Sequence, residues 1–331
     1  MFNLPFSTEP NTLTTQERLN AFGQDIIRGL SAKEKYLDSK YFYDEIGDAL
    51  FQQIMQSEEY YLTNCELEIL QKQSVDIAQT FLHYHQHFDL IELGAGDATK
   101  SIYLLQKLLK ASASFTYYPV DISQHAIEQL EDQLPKRLPS LSLEGLNGEY
   151  LTMLDHFSGS SRPKIVLFMG ANIGNIPPKE VAGFIQALRA RLNPNDLLFI
   201  GFDLKKDPRI ILAAYHDKKG YTKAFNLHLL ERINNTFNAN FQLQYFEHYP
   251  TYDPQTGSTK SYLISTIDQE IWIADLHCRL FFRAGEPIFM EISQKYHLAE
   301  IQELAKQNGF KPTNHFFDGK KWFVDSLWVA E

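Results

Sequence analysis

The stretch at residues 88–100 constrains the fold more than any other part of the sequence. It begins with a short, almost continuous apolar run, which is typical of a strand covered on both faces in a parallel sheet. Gly94 and Gly96 follow, and because glycine has no Cβ the backbone can turn tightly and approach a ligand. Asp97 is expected to cap the helix that comes next. A strand, a glycine turn and a helix N-terminus in this order predict a socket for a nucleotide-like ligand.

The composition argues against several classes of protein. The 331-residue chain has a formal net charge of −10, which disfavours a nucleic-acid partner because phosphate binding normally needs a basic face. Cys65 and Cys278 are the only cysteines, which is too few for a disulfide framework and suits the cytoplasm. The start of the chain lacks the pattern of a signal peptide, and no apolar run is long enough to span a bilayer, so we expect no membrane partner.

Other motifs that carry chemistry are missing or weak. The sequence has no nucleophile elbow, Walker loop or His-Glu-x-x-His helix, so hydrolase, nucleoside-triphosphatase and zinc-protease functions lack support. His83, His85 and His87 alternate before the first strand, but they have no cysteine or carboxylate companion in a ligand spacing. We therefore expect no metal site.

From the first strand onward, strands and helices alternate, which is the pattern of a parallel sheet with right-handed crossovers. The fold class is therefore α/β, with a doubly wound, Rossmann-like core at 87–205 that segment 286–331 completes. A helical preface at 14–86 and an insertion at 206–285 are expected to form a second, α+β domain that packs over the ligand edge and binds substrate. Residues 1–13 are expected to form a loose arm.

Local patterns refine this organisation. Thr63 and Glu66 have the spacing of a capping box and predict the start of a helix that runs to about Phe81. Residues 141–146 predict the third strand of the sheet. Residues 287–293 predict a strand of the core, which a helix and a terminal strand would follow.

Polar residues follow the predicted strands. Asp121 ends the second strand, where a carboxylate could accept hydrogen bonds from both ribose hydroxyls of an adenosine or merely cap a helix. Glu149 and Tyr150 follow the third strand and could either bracket an adenine ring or be structural. The turn at 170–175 follows the fourth strand, and its glycines and asparagines offer groups that could hold a substrate's amine and carboxylate.

The residues around the glycine turn favour one type of ligand. Thr99 stands where the dinucleotide fingerprint has glycine or alanine, which disfavours a pyrophosphate clamp. Glu92 precedes Gly94 by two residues and completes an acid-x-Gly-x-Gly pattern, as in methyltransferases that use S-adenosylmethionine. These residues favour a methyl donor over a dinucleotide.

With these residues in view, the chain resembles the histidine-specific N-methyltransferase family from about Thr15 to its C-terminus. The motifs that carry the resemblance are Lys40-Tyr-Phe-Tyr-Asp44, Gly47 with Leu50-Phe51, Glu59-Tyr-Tyr61 with Thr63 and Glu66, Glu92-Leu-Gly-x-Gly96 with Lys100, Pro119-Val-Asp121, Ile173-Gly-Asn175, Asp203-Leu-x-Lys-Asp207, Ala214-Tyr215, Phe225-Asn226, Glu247-His248 and Glu291-x-Ser293.

The resemblance implies a class I methyltransferase core and transfer of methyl groups from S-adenosylmethionine to the α-amine of histidine, as in ergothioneine biosynthesis, where trimethylation gives hercynine. S-adenosylhomocysteine would be the second product. The implied partner is a small amino acid, and we expect a monomer or a weak homodimer. The implied donor site consists of Tyr60, Glu92, Gly94, Gly96, Lys100, Asp121, Glu149 and Tyr150.

The resemblance also implies a substrate site. Asn175 and Tyr215 would hold the carboxylate and the amine, and Glu291 and Ser293 would hold the imidazole. The implied catalytic residues are Tyr43, Asn175 and Tyr215, and the remaining substrate residues are Phe51, Tyr60, Gly170, Asn172 and Ser261.

Three positions depart from the family pattern. Asn172 stands where threonine is usual, Glu149 where aspartate is usual, and Ser261 near the place where a methionine packs on the substrate ring. The changes at Asn172 and Ser261 leave open an N-methyltransferase for another amino acid or small amine. A nicotinamide-dependent oxidoreductase and a non-catalytic donor-binding module are more remote alternatives.

Overall fold

The structure is a computed structural model that describes residues 15–331, apart from the side chains of Thr15 and Arg18. The arm expected at 1–13 lies outside the described residues. The described chain divides into two compact units. The first comprises Leu62–Lys205 and Gln294–Glu331, and the second comprises 15–61 and Lys206–Ser293.

Helices and strands are found throughout the described chain. The α-helices are α1 (Thr15–Leu30), α2 (Glu45–Met55), α3 (Tyr61–Tyr84), α4 (Ser101–Lys110), α5 (Gln124–Arg137), α6 (Tyr150–Leu154), α7 (Val181–Ala190), α8 (Pro208–Ala214), α9 (Tyr221–Phe237) and α10 (Leu298–Gln307). The strands are β1 (His87–Leu93), β2 (Ser114–Asp121), β3 (Ser142–Leu143), β4 (Leu146–Asn147), β5 (Lys164–Phe168), β6 (Leu197–Asp203), β7 (Phe246–Asp253), β8 (Ser258–Ser265), β9 (Gln269–Ile273), β10 (Cys278–Phe282), β11 (Pro287–Gln294), β12 (Phe310–Phe317) and β13 (Phe323–Ala330).

The first unit is built on one large sheet with the strand order β12-β13-β6-β5-β1-β2-β3, in which β4 also pairs with β2. Strands β1 to β6 pair in parallel, whereas β13 is antiparallel to both β6 and β12. Strands β5 and β6 are buried at every position, because a central parallel strand is covered on both faces. The doubly wound, Rossmann-like core that the sequence predicts is confirmed.

Helix α3 lies in the first unit, although the sequence pattern assigned it to the substrate domain. The apolar side of α3 includes Ile69, Ile77 and Phe81, and the Phe81 ring lies 5.6 Å from the ring of Phe199 on β6. Helical periodicity shows which side of a helix is buried but not against which element. The boundary of the first unit therefore falls at residue 62 and not at residue 87.

The expected capping box at Thr63 and Glu66 is wrong. Helix α3 already begins at Tyr61, so Thr63 lies inside its first turn. Glu66 is fully buried and accepts a hydrogen bond from a distant backbone amide, that of Gly170. The spacing of a capping box also occurs inside helices, and here the acid serves another part of the fold.

The second unit is an α+β body with its own apolar core. Helices α1, α2 and α9 pack with two small sheets, of order β11-β8-β7 and β10-β9. The core includes Phe42 against Phe225, with ring centroids 4.7 Å apart, and Phe246 against Phe282 at 5.6 Å. The predicted second α+β domain is therefore present.

Two strand predictions need correction, and one strand was not predicted. Strand β11, expected in the core, pairs with β8 in the second unit, because alternating burial identifies a strand but not its partner. The single third strand at 141–146 is two short strands, β3 and β4. Strand β12 had no clear sequence signal, because Pro312 and several polar residues interrupt it and its register shifts between Pro312 and Asn314.

Candidate functional site

The glycine turn, residues 94–96, leaves the carboxyl end of β1 in a conformation that favours glycine. Gly94 and Gly96 have positive φ angles of 77° and 54°. The Gly94 amide donates to the carbonyl of Val120 at 2.8 Å, and the Gly96 amide donates to Asp121 Oδ2 at 3.0 Å. The turn is therefore anchored to the end of β2 by its own backbone.

The two glycines have different surroundings. A Cβ on Gly94 would lie 2.8 Å from Asn172 Nδ2 and 2.9 Å from the Tyr150 hydroxyl oxygen. A Cβ on Gly96 would meet nothing within 4 Å, and Gly96 is exposed. Gly94 is therefore the packed glycine of the turn, and Gly96 adjoins open space beside the Asp121 carboxylate.

Asp97 does not cap the following helix. Its Oδ1 accepts from the Thr99 amide at 3.0 Å, and α4 begins later, at Ser101. Lys100 occupies the N-cap position and makes no side-chain cap bond there. The prediction of an Asp97 cap is wrong because two further turns separate the glycines from the helix.

Glu92 is buried beneath the glycine turn. Ser101 Oγ donates to its Oε1 and Tyr117 Oη donates to its Oε2, both at 2.6 Å. Burial raises the pKa of Glu92 to about 7, although these two hydrogen bonds act in the opposite direction. Because both carboxylate oxygens already bind protein hydroxyls, we expect Glu92 to hold the start of α4 in place rather than to contact a ligand.

Asp121 joins the end of β2 to the glycine turn. Besides the Gly96 bond, its Oδ1 accepts from the Ser123 amide at 2.9 Å. Burial raises the pKa of Asp121, and the backbone bonds from Ser123 and Gly96 oppose that shift. A carboxylate can accept about four hydrogen bonds, so Asp121 still has capacity for a ribose hydroxyl.

Glu149 and Tyr150 lie at the start of α6. Glu149 is exposed at the N-cap position, whereas Tyr150 is partly buried and its ring packs at 5.5 Å, edge-on, against Phe168 of β5. Burial raises the pKa of Tyr150, so its hydroxyl remains protonated and can donate a hydrogen bond. The structure thus brings Tyr150 next to Gly94 and leaves Glu149 at the surface.

A second turn, residues 170–175 and here called the Gly170 turn, follows β5. Gly170 and Ala171 have positive φ angles of 75° and 57°, and Asn172–Asn175 form one turn of 3-10 helix. The Asn172 amide nitrogen lies near both Gly94 and Gly170, while Asn175 is exposed. The structure therefore places Asn172 against the glycine turn.

The Lys100 side chain reaches from the end of the glycine-turn segment to the Gly170 turn. Its Nζ donates to the Glu66 carboxylate and lies 3.6 Å from the position that a Gly170 Cβ would take. Burial lowers the pKa of Lys100, but Glu66 has the opposite effect and the net pKa is raised. The sequence did not identify Glu66 as a site residue; it appeared only in the capping-box spacing with Thr63 and in one motif of the family resemblance.

Four predicted site residues of the second unit share an aromatic group. The Phe51 ring lies 5.8 Å from Tyr43 and 6.4 Å from Tyr60, and Tyr60 lies 6.3 Å from Tyr215, all edge-on. Phe225 packs on Phe51 and on Tyr43, at 5.8 Å from each. We call these five residues the aromatic group; its edge-on contacts are the geometry that aromatic rings prefer.

The predicted imidazole-binding residues lie on β8 and β11. Ser261 Oγ lies 3.5 Å from Glu291 Oε1, and His248 Nε2 lies 3.4 Å from the same hydroxyl. Burial lowers the pKa of His248 to about 4, so its imidazole is neutral near pH 7. Ser293 is buried two residues beyond Glu291. His248 was part of a sequence motif but was not predicted to adjoin Ser261 and Glu291.

Within residues 15–331, no three histidine, cysteine, aspartate or glutamate side chains are grouped as metal ligands. No helix in that part of the chain is long and apolar enough to cross a membrane.

The sequence matches known proteins over both units. A family model described as histidine-specific, S-adenosylmethionine-dependent methyltransferase matches residues 22–330. The histidine N-alpha-methyltransferase of Mycolicibacterium smegmatis is 30% identical over 324 residues, which cover 96% of this chain and 98% of that protein. The protein of the same name from Mycobacterium tuberculosis is 29% identical and covers 83% and 84%. Ergothioneine biosynthesis protein 1 of Schizosaccharomyces pombe is 30% identical over 85% of this chain and 37% of its own length.

Proposed function

Because the chain belongs to the family of histidine-specific, S-adenosylmethionine-dependent methyltransferases, we propose that it methylates the α-amine of L-histidine. The protein is an S-adenosylmethionine-dependent N-methyltransferase. The observation that carries the choice of histidine is the family match across residues 22–330, since it includes the segment that holds Glu291 as well as the glycine turn. The name of the mycobacterial relative supports the α-amine of histidine, and the name of the Schizosaccharomyces pombe relative supports an ergothioneine-type pathway, in which the product would be hercynine.

The residues around the glycine turn fit the adenosine part of the methyl donor. Gly96 adjoins open space, and the neighbouring Asp121 carboxylate can accept further hydrogen bonds, as a ribose requires. Tyr150 and Glu149 are the proposed adenine neighbours, and Gly94, Lys100 and Tyr60 complete the proposed donor residues. When bound, S-adenosylmethionine supplies an electrophilic methyl group on a sulfonium.

The proposed substrate residues divide by chemistry. Asn175 and Tyr215 would bind the carboxylate and the amine through amide and hydroxyl groups. Glu291 would accept a hydrogen bond from an imidazole N–H, with Ser293 as its neighbour. A partly buried carboxylate facing an apolar ring without an N–H would lose hydration and gain no bond, so Glu291 would discriminate against such rings.

The protein must present a neutral, aligned amine. An amino acid's amine is largely protonated near neutrality, and partial burial beside aromatic rings favours the uncharged form. Tyr215 and Tyr43 belong to the aromatic group and carry hydroxyls that can accept a hydrogen bond from the amine. Fixing the amine in line with the breaking bond contributes to the rate, because a positioned reaction avoids much of the entropy cost of encounter. No dedicated general base is required.

A second candidate is an N-methyltransferase for another amino acid or small amine. The observation that favours it is the polar Ser261, which is fully buried beside Glu291, near the place where the resemblance implies a methionine. A hydroxyl at this position would leave more room for a ring and add a polar group. Asn172 is the second departure, and it lies against the glycine turn.

A substrate panel tests the proposal. The purified protein is incubated with S-adenosylmethionine and with each of a set of amino acids and amines in competition, and methylated products are measured by mass spectrometry. We expect L-histidine to have the highest kcat/KM and histidine with a blocked α-amine to be inert. A higher kcat/KM for another amine would favour the second candidate, and binding of S-adenosylhomocysteine without turnover of any amine would contradict both.

We also propose that the protein acts in the cytoplasm on a free amino acid, as a monomer or weak homodimer. The two cysteines are both free thiols, which supports a reducing compartment. Fractionation of the source cell and sedimentation velocity over a range of concentrations test these two statements separately.

A further inference from the structure

Three ionisable side chains meet beneath the Gly170 turn in the first unit. Glu66 comes from α3, Lys100 precedes α4, and Asp325 lies on β13. Glu66 Oε1 accepts from the Gly170 amide at 2.7 Å, and its Oε2 accepts from Lys100 Nζ. Glu66 thus connects the backbone of the Gly170 turn to the lysine that we place at the donor site.

Asp325 has a different environment from Glu66. It is completely buried, and among the described residues no hydrogen-bond donor reaches either of its oxygens. The space above Gly201 of β6 is filled by both acids, because a Cβ there would lie 2.5 Å from Glu66 Oε1 and 3.1 Å from Asp325 Oδ1. The two carboxyl groups therefore converge on one site, and a hydrogen bond can join them only when one carries a proton.

Physical chemistry decides which acid carries the proton. Two carboxylates in a buried site cannot both remain ionised without a large cost. Glu66 accepts hydrogen bonds from an ammonium and from an amide N–H. Asp325 receives neither donor. Burial raises the pKa of Asp325 well above its ordinary value, the nearby Glu66 raises it further, and Lys100 opposes this shift. The proton belongs on Asp325.

We propose that Asp325 holds a proton and donates a hydrogen bond to Glu66, and that this pair positions the Gly170 turn and Lys100 for binding of the methyl donor. Glu66 and Asp325 are positioning residues, since they act through Gly170 and Lys100. One negative charge then balances the Lys100 ammonium, so that the cluster is neutral overall. The inference depends on the methyl donor alone and not on histidine as the substrate.

Two variants of nearly equal size test whether Asp325 acts as a hydrogen-bond donor to Glu66. Asp325→Asn keeps a neutral group that donates to Glu66, whereas Asp325→Leu has a similar volume and no donor. We expect the Kd for S-adenosylhomocysteine, measured by calorimetry, to stay within about threefold of the wild-type value in Asp325→Asn. In Asp325→Leu it should rise about tenfold, because Glu66 loses a hydrogen bond in a buried site.

Infrared difference spectroscopy detects the proposed proton on Asp325 directly. At pH 9 Glu92, whose pKa is about 7, is ionised and does not contribute a carboxylic-acid band. The carbonyl stretch of a protonated carboxyl group should then be present in the wild type and absent in Asp325→Asn. This readout is unaffected if Asp325→Leu fails to fold.

Each outcome decides the proposal. Wild-type affinity in Asp325→Asn with the loss of the acid band supports it. It is overturned if Asp325→Asn binds the donor as weakly as Asp325→Leu, if both variants bind like the wild type, or if no acid band disappears. Because only donor binding and a vibrational band are measured, failure of the histidine assignment would leave these results unchanged.

Discussion

The glycine-turn region of the first unit and the Glu291 region of the second unit differ in the lengths of the polar contacts made by Glu92, Asp121 and Ser261. Around the glycine turn, Glu92 and Asp121 accept hydrogen bonds of 2.6–3.0 Å from hydroxyl and backbone donors. Around Glu291, the polar contacts through Ser261 are 3.4 and 3.5 Å long. Elsewhere in the second unit, predicted residues of the aromatic group contact one another through their rings, at 5.8–6.4 Å. Short bonds to hydroxyl and backbone donors specify position closely, whereas long contacts and ring edges specify it loosely.

This difference fits a division of labour. A ligand that is the same in every turnover benefits from groups already held in the binding geometry. Residues that decide which amine is methylated need a chosen shape and a few polar groups. We infer that the glycine-turn region supplies donor binding and that the Glu291 region supplies substrate choice.

The largest expected effect comes from Asp121. In Asp121→Ala the ribose hydroxyls would lose their acceptor, and the Gly96 and Ser123 amides would lose a partner. Two hydrogen bonds to a charged group correspond to about 4 kcal/mol, so the Kd for S-adenosylhomocysteine should rise by roughly a thousandfold. Asp121→Asn, which keeps one acceptor oxygen, should have an intermediate Kd. A change below tenfold in Asp121→Ala, measured by calorimetry, would mean that Asp121 only caps its own turn.

The pH dependence of the free energy of unfolding tests whether Glu92 is buried beneath the glycine turn. The pKa of Glu92 in the folded protein is about 7 and lies above the ordinary value of 4.5. The contribution of Glu92 to the free energy of unfolding is therefore fully present below pH 4.5 and is lost as pH rises through 7. Glu92→Gln cannot ionise, so its free energy of unfolding relative to wild type should rise by about 3 kcal/mol between pH 4.5 and pH 8.

Denaturant titrations of both proteins at several pH values measure this difference. Glu128→Gln on the exposed side of α5 is the matched control and should show little change with pH. A Glu92→Gln difference that is flat with pH would show that Glu92 is ionised throughout, contrary to its buried position.

Glu291 tests the substrate side of the comparison. Glu291→Ala removes the proposed acceptor for the imidazole N–H, and kcat/KM for histidine should fall by about thirtyfold, or about 2 kcal/mol. The Kd for S-adenosylhomocysteine should stay within twofold. Glu291→Gln keeps an acceptor oxygen and should lose less activity. Unchanged turnover of histidine in steady-state assays of Glu291→Ala would remove Glu291 from the substrate site.

The smallest effect is expected at Ser261. Its two contacts are long, so Ser261→Ala should change kcat/KM for histidine by less than about threefold. A loss of tenfold or more would show that Ser261 fixes Glu291 as firmly as Ser101 fixes Glu92, and the contrast between the two regions would then disappear.

The sequence predicted the sheet core because apolar runs such as that of β1 and β6 report burial directly. The glycine turn was predicted because glycine favours positive φ angles, and its two glycines have them. The family resemblance, confirmed by the match at 22–330, was carried by motifs spread along the chain. The roles of the individual site residues remain predictions.

Other features depend on partners distant in sequence and could not be read locally. Nothing near Glu66 indicates that it binds the amide of Gly170, and nothing near Asp325 indicates that a second acid lies beside it. The assignment of α3 and β11 to their units failed because periodicity reports a buried side and not the element that covers it. Asp97 failed as a cap because turn lengths vary independently of the apolar pattern.

The most direct test of the account is to identify the product formed from L-histidine. The protein is incubated with histidine and S-adenosylmethionine that carries a deuterated methyl group, and the product is fragmented by tandem mass spectrometry. The account predicts that every deuterated methyl group is attached to the α-nitrogen. A label on the imidazole ring, or no labelled histidine although S-adenosylhomocysteine binds, would contradict it.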